Sequence, residues 1–185
     1  LGEHGMFDKR MMYEEPLHMP FVIRYLKEIP AGTRNKDIIL NVDFAATLAD
    51  YAGIKAPEKS QGESFRQNLK GETPADWRKE MYYRYWTHHS IRPAHMGIRN
   101  ERYKLMFLYG DRLNATGSEE TPTTPAWEFH DLQVDPKEDK NMYNEPQYQD
   151  IIKEMKQELL TLRQEVGDTD ADTPRMKEIM DQYYW

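Results

Sequence analysis

Two basic side chains near the start of the chain, His4 and Lys9, sit among residues suited to binding an anion. Gly2-Glu-His-Gly5 leads to Lys9-Arg10, and Tyr13-Glu14 follows. A lysine ammonium brings three donors and a compact charge to an anion held at close range. His4 suits two tasks: donating to, or carrying a proton for, a substrate oxygen near neutral pH, or fixing its own loop through the ring nitrogens. Glu3, Tyr13 and Glu14 are expected to brace that loop. A second basic group, His88, His89, Arg92, His95 and Arg99, lies near the middle of the chain. Its three histidines lack the spacing and carboxylates of a standard zinc site, so no metal ligand is expected in this chain. The absence of cysteine excludes disulfides and thiolate ligands within it. Asn114-Ala-Thr116 fits the glycosylation acceptor by pattern alone.

These residues must be held by recognisable elements. Phe21-Val-Ile-Arg-Tyr25, bounded by Pro20 and the Pro30-Ala-Gly32 turn, predicts a strand. Val42, Ala45, Ala49 and Ala52, joined by Leu48, recur at helical spacing, and Gly53 is placed for a left-handed cap. Met81-Tyr-Tyr-Arg-Tyr-Trp86 is rich in strand formers. Met96 and Ile98 alternate on one arm of a predicted hairpin and Tyr103, Leu105 and Phe107 on the other, with Asn100-Glu101 at the turn. Trp127-Glu-Phe-His-Asp-Leu132 predicts another strand, after a Gly-, Thr- and Pro-rich loop. Asn144 is placed to cap a long helix with Pro146 in its first turn. Its apolar stripe, including Ile152, Met155 and Leu159, should cover a sheet. A short helix from Pro174 to Tyr184 follows, with Met176, Ile179, Met180 and Tyr183 on one side.

With 185 residues the chain exceeds the usual size of one domain. A net charge of −7 and 31% charged residues argue against a general binder of nucleic acid or anionic membrane, since phosphate contacts need clustered Lys and Arg. The mean hydropathy is −0.93, and no apolar run approaches the length of a bilayer span. The first residues lack the basic and apolar regions of a signal peptide. An anionic ligand would need a local pocket of positive potential.

Taken in order, these motifs resemble the C-terminal portion of type I, formylglycine-dependent sulfatases of the alkaline-phosphatase-like superfamily. Gly2-Glu-His-Gly5 with Lys9 is similar to the family's sulfate-gripping lysine loop. Val42-Asp-Phe-Ala-Ala-Thr-Leu48 resembles the helix after it, with Ala46 where the family has proline. Gln61-Gly-Glu-Ser-Phe65 and Leu69-Lys-Gly-Glu72 fit the exit from the large domain. His95-Met-Gly-Ile-Arg-Asn-Glu-Arg-Tyr-Lys-Leu105 and Trp127-Glu-Phe-His-Asp-Leu132 fit the second unit, His130 replacing a tyrosine.

The resemblance implies residues 1–75 as the end of the catalytic α/β domain and 76–185 as an α+β subdomain, an antiparallel sheet packed on a long helix. It also implies sulfate binding by Lys9, with His4 beside it, and contacts to the substrate from His95, Arg99 and Arg92 in a loop over the active-site mouth. The family's Cys/Ser-x-Pro-x-Arg nucleophile motif does not occur here, and its calcium ligands lie in an N-terminal part of the polypeptide, the partner this chain would lack. The fragment is therefore expected to be silent alone. A sulfated saccharide substrate and a periplasmic or secreted location are what the family suggests. Two other classes stay open: a phosphodiester or phosphonate monoester hydrolase of the same superfamily, and a non-catalytic sugar-binding module using Tyr82, Tyr83, Tyr85 and Trp86.

Overall fold

The computed structural model describes residues 2–5 and 9–185. The chain divides into two compact units, Pro20–Met81 and a second formed by Leu1–Met19 together with Tyr82–Trp185. The N-terminal segment thus folds with the later part of the chain, across the interval between them in sequence.

In Pro20–Met81 the regular elements are α2 (Asp43–Ala52) and the single turn α3 (Arg66–Leu69). Gly53 ends α2 in the left-handed conformation, φ 68°, as its position predicted. The buried side of α2 differs from the predicted stripe: Asp43, Ala46, Thr47 and Ala49 face inward, whereas Val42, Ala45, Leu48 and Ala52 are exposed. Hydrogen bonding decides this. The Asp43 carboxylate accepts from the amides of Leu40 (2.6 Å) and Glu63 (3.0 Å) and from Arg78 (2.5 and 2.8 Å). Thr47 Oγ1 donates to the Asp43 carbonyl and accepts from the Phe65 amide. A buried carboxylate needs such partners, and they lie on one side of the helix. Gly62 is obligatory here, because a Cβ would lie 1.9 Å from the Val42 oxygen. The predicted strand at residues 21–25 does not form. The segment is exposed and pairs with no strand among the described residues, and a lone strand has nowhere to place its amides and carbonyls.

The other unit is built on an antiparallel sheet in the order β1-β2-β3-β4, from β1 (Glu80–Tyr85), β2 (His95–Asn100), β3 (Tyr103–Leu108) and β4 (Ala126–Asp131). The β2–β3 hairpin forms on the predicted arms, but its two-residue loop is Glu101–Arg102, one residue later than expected, because Asn100 Oδ1 accepts from the amides of Arg102 and Tyr103; the register sets Ile98 opposite Leu105 and Met96 opposite Phe107. Those residues, with Trp127 and Phe129, face α4 (Gln149–Glu165) and α5 (Pro174–Tyr183). Ile152, Met155 and Leu159 of α4 and Met176 and Ile179 of α5 complete this core. Each such side chain contributes about 1.5–3 kcal/mol by leaving water. Asn144 does not cap α4. A 3-10 turn, Pro146–Tyr148, precedes the helix without a side-chain cap. Asn141 does the tethering instead, accepting from the Phe129 amide and donating to the Trp127 carbonyl, so that the segment lies along the open edge of β4.

Two charged groups lock the helices down. Lys156 donates to Tyr143 Oη (2.8 Å) and to the Tyr184 carbonyl (2.5 Å), its ammonium 4.3 Å from the Trp127 ring centre. Arg84 of β1 pairs with Asp168 and Asp170 between the helices, and Arg163 also meets Asp170.

The opposite face of the sheet carries the residues that alternate with the core: His95, Gly97 and Arg99 on β2, Lys104 and Met106 on β3, Glu128 and His130 on β4. The N-terminal segment covers it through Met11 and Met12, both buried. Gly97 permits this approach, since a Cβ there would meet the Leu105 oxygen at 2.5 Å and Met12 Sδ at 2.6 Å. Gly97→Ala should therefore destabilise this unit by about 1–3 kcal/mol, the usual cost of overpacking. A urea unfolding midpoint equal to that of the wild type would refute the close approach of the segment.

Candidate functional site

The Lys9 segment is held by ion pairs to a buried sheet face. Lys104 has no exposed surface. Its ammonium lies 2.9 Å from Glu14 Oε1 and 2.7 Å from Glu138 Oε1. Glu14, in the short helix α1 (Glu14–Leu17), also receives Arg99 through two bonds of 3.1 and 3.0 Å. Burial pushes the Glu14 carboxyl up, but the hydrogen bonds and charges of Arg99 and Lys104 outweigh it and hold the group at about 2. Glu138, at a left-handed backbone position (φ 56°), accepts the Glu14 amide at 2.6 Å. One buried carboxylate thus anchors both the side-chain partner of Glu14 and its backbone.

Tyr13 adds a second anchor. Its hydroxyl donates to Glu128 Oε2 (3.0 Å), which also faces His130 Nε2 (3.3 Å). Burial raises the Glu128 carboxyl, yet His130 and Tyr13 bring it below its ordinary value. Burial and the Glu128 charge push the Tyr13 phenol well up, keeping it a donor. Tyr83 Oη donates to the Arg10 carbonyl (3.0 Å). The chain is pinned at residues 10, 13 and 14, and Lys9, exposed, stands at the end of the pinned stretch.

His4 is brought to the same place. It occupies a 3-10 turn, Glu3–Gly5, at φ 53°, and its ring stacks on Tyr13 with centroids 3.9 Å apart and planes within 9°. His4 Nε2 faces Glu15 Oε2 at 3.4 Å. His4, Glu15 and Glu138 offer ligand atoms within 4.8 Å of one another. They do not suit a hard cation such as calcium, which takes six to eight oxygens. Glu138 is already committed to the Lys104 ammonium, and one of the three is an imidazole.

The other sequence-predicted residues take supporting positions. Arg99 is bound to Glu14. His95 is fully buried between Tyr83 and Tyr85, with ring centroids 5.7 and 5.8 Å away. Its Nδ1–H donates to the Pro93 carbonyl (2.8 Å), and burial lowers its pKa to about 4. Arg92 lies in the turn closed by the His89–Arg92 bridge just before β2. His88 is buried on the Thr121 carbonyl, and His89 pairs with Glu119 at the surface. Tyr82 packs on the core, and of the four aromatics considered for sugar binding only Trp86 is substantially exposed.

Sequence reasoning missed Lys104, Glu128, His130 and Glu138. The signal for the first three was present, because polar residues alternate with the core positions of β3 and β4. No local pattern marks Glu138.

Two measurements check this arrangement. Lys104→Met leaves Glu138 buried without its cation and Glu14 with Arg99 alone, and should cost about 3–5 kcal/mol in urea unfolding. Adding Glu138→Gln should recover part of that loss, and no recovery would show that the pair is not coupled. His95 gives a pH signature. Its folded pKa lies below the unfolded value, so the unfolded state takes up the proton first as pH falls. Stability should drop by up to about 3 kcal/mol between pH 6.5 and 4, and His95→Asn should lack this component. Parallel pH profiles for the two proteins would remove His95 as the cause.

The sequence profile described as "N-sulphoglucosamine sulphohydrolase, C-terminal" matches residues 2–165. An N-acetylglucosamine-6-O-sulfatase of Bacteroides thetaiotaomicron is 41% identical over 177 residues, covering 93% of this chain and 29% of that protein. An ulvan-active sulfatase of Formosa agariphila is 29% identical, covering 94% of this chain and 33% of its own. A solved structure in complex with its substrate, D-glucosamine-2-N,6-O-disulfate, superimposes with TM-score 0.78 at 39% identity, over 92% of this chain and 33% of that one. The phosphonate monoester hydrolase of Agrobacterium radiobacter, 20% identical with TM-score 0.51 over 67% of this chain and 24% of its own, shares the fold alone. This chain spans about a third of the length of these relatives. The chain belongs to the N-sulphoglucosamine sulphohydrolase C-terminal family, the C-terminal portion of a sulfatase of the alkaline-phosphatase-like superfamily.

Proposed function

We propose that the protein of which this chain is a part hydrolyses a sulfate ester of a sulfated saccharide, with a 6-O-sulfated glucosamine as the leading substrate. The observation that carries this is the 41% identity with an N-acetylglucosamine-6-O-sulfatase over 93% of the chain, within a family match that starts at residue 2 and so includes the Lys9 segment.

In this reading Lys9 binds the sulfate. Its ammonium offsets charge on the oxygens as the ester bond breaks, and the fixed backbone from residue 10 to residue 14 keeps it in place beforehand. His4, stacked on Tyr13, is the second candidate for the sulfate side, as donor or proton carrier. Arg92 remains a candidate for the sugar, while Arg99 holds the covering segment through Glu14 and His95 packs against Tyr83, whose hydroxyl donates to the Arg10 carbonyl. A calcium ion and a formylglycine nucleophile belong to the proposal through the family resemblance, both held by polypeptide outside this chain. Calcium would polarise the sulfate. A periplasmic or secreted location is proposed on the same ground.

The test joins this chain to the region of the Bacteroides relative that precedes the match. That chimera should release sulfate from glucosamine 6-O-sulfate, with little action on a phosphonate monoester, and the isolated chain should release none. Lys9→Ala in the chimera should lower kcat/KM by about a hundredfold or more, the scale of one lost transition-state donor, without shifting Tm. Unchanged kinetics in that variant would show that Lys9 does not hold the sulfate.

A further inference from the structure

The turn that joins β1 to β2 is held from outside the sheet, by the Gly-, Thr- and Pro-rich loop between β3 and β4. Glu119 of that loop binds three consecutive residues of the connection. Its amide donates to the His88 carbonyl (2.9 Å), its Oε1 faces His89 Nε2 at 2.9 Å, and its Oε2 accepts from the Ser90 amide (2.7 Å). The bond from the Ser90 amide is the chief cause that holds the Glu119 carboxyl below its ordinary value. Ser118 Oγ accepts from the His88 amide (2.9 Å), and the buried His88 ring donates through Nε2 to the Thr121 carbonyl (3.0 Å). His89 and Arg92 then close the turn on each other through backbone bonds of 3.1 and 3.0 Å. Its tip nonetheless faces water, with Ser90 exposed and Ile91 67% exposed. Surface turns ordinarily keep their freedom, whereas this one is fixed on both sides of an open tip.

The covering segment places Lys9 beside that turn. Glu14 meets Arg99, Met12 lies against Gly97, and the Arg10 carbonyl accepts from Tyr83, whose ring stacks on His95. Stepping back along the segment from residue 14 to residue 10 therefore follows β2 back from residue 99 to residue 95. Lys9 comes next, at the end of the sheet where the turn stands. We infer that Glu119 is a positioning residue for substrate choice, holding the turn His89–Arg92 next to Lys9 so that the turn meets the group esterified to the sulfate. This deepens the proposed function and rests on it: with the sulfate on Lys9, the sugar that bears it lies against the turn. The turn has the chemistry for a sugar. Arg92 brings guanidinium donors for hydroxyl oxygens, and Ile91 brings an apolar side chain for the C–H face of the ring. Glu119 acts through them, because a turn fixed in folding removes an ordering cost from each binding event.

Two substrates that share the sulfate and differ in the rest test this in the chimera with the preceding region of the Bacteroides relative. Glu119→Ala should lower kcat/KM for glucosamine 6-O-sulfate by about tenfold or more relative to that for p-nitrophenyl sulfate, chiefly through KM. Glu119→Gln keeps an acceptor for the Ser90 amide and should restore most of the difference. In the chain itself, Glu119→Ala should speed amide exchange at Ser90 by about tenfold or more while the β3 amides stay protected. Equal losses on the two substrates would make Glu119 a support of the fold and overturn the inference, and so would unchanged exchange at Ser90. A wild-type chimera that releases no sulfate from the sugar would remove the proposed function instead. Calorimetric titration with glucosamine 6-O-sulfate then still decides the role of the turn: a Kd about tenfold weaker in Glu119→Ala upholds it, and an equal Kd overturns it.

Discussion

An ammonium without access to water governs the unit that carries the candidate site. Lys104 must be neutralised where it sits, and the two carboxylates that do so, Glu14 and Glu138, come from chain segments outside the sheet. Glu14 brings the N-terminal segment across the strands, and Glu138 brings the loop after β4. Departure of the segment would take Glu14 away from both Lys104 and Arg99, so the ionic cluster fixes its position more than it adds stability. Arg99 completes the balance with a two-bond grip on Glu14, which explains why that carboxyl stays ionised far into acid.

The sheet therefore has two unlike faces. One is conventional, with aliphatic and aromatic side chains closed off by α4 and α5. The other is a polar layer covered by a strap of chain, its charges shared among Arg99, Lys104, Glu14 and Glu138, and its histidines packed against tyrosine rings. Gly97 belongs to this second face for lack of a side chain, which lets Met12 lie against the strand. A binding lysine on a surface loop loses affinity to its own freedom. The residues just after Lys9 are fixed by side-chain packing and hydrogen bonds, so that in its proposed role as a sulfate ligand the ordering cost would be met in folding.

The unit Pro20–Met81 obeys a different constraint. Its interior is organised around a carboxylate, Asp43, whose four hydrogen bonds from Leu40, Glu63 and Arg78 fix how α2 is rotated. That rotation turns the apolar stripe outward. A helix whose polar side is buried and whose apolar side is exposed violates the usual pattern unless a further surface covers it, and the unpaired segment at residues 21–25 violates the usual treatment of strands in the same place.

The sequence by itself determined the hairpin and the face its apolar residues share, because alternation at Met96, Ile98, Leu105 and Phe107 puts all four on one side, whereas the loop at Glu101–Arg102, and with it the register, was set by the side chain of Asn100. It determined the long helix over the sheet from its stripe, the end of α2 from Gly53, and the kinship with sulfatases from collinear motifs. It marked Lys9 and His4 as residues suited to an anion. Tertiary structure alone decided what Lys104, Glu128 and Glu138 are for, since their partners lie at sequence distances that local patterns do not span. It decided that Arg99 holds the covering segment through Glu14 and that His95 is buried beside Tyr83 and Tyr85: a guanidinium goes to the nearest carboxylate, and a buried imidazole stays neutral on a carbonyl. It also decided which side of α2 is inside. Periodicity counts apolar residues, whereas a buried carboxylate with four donors sets the rotation of the whole helix.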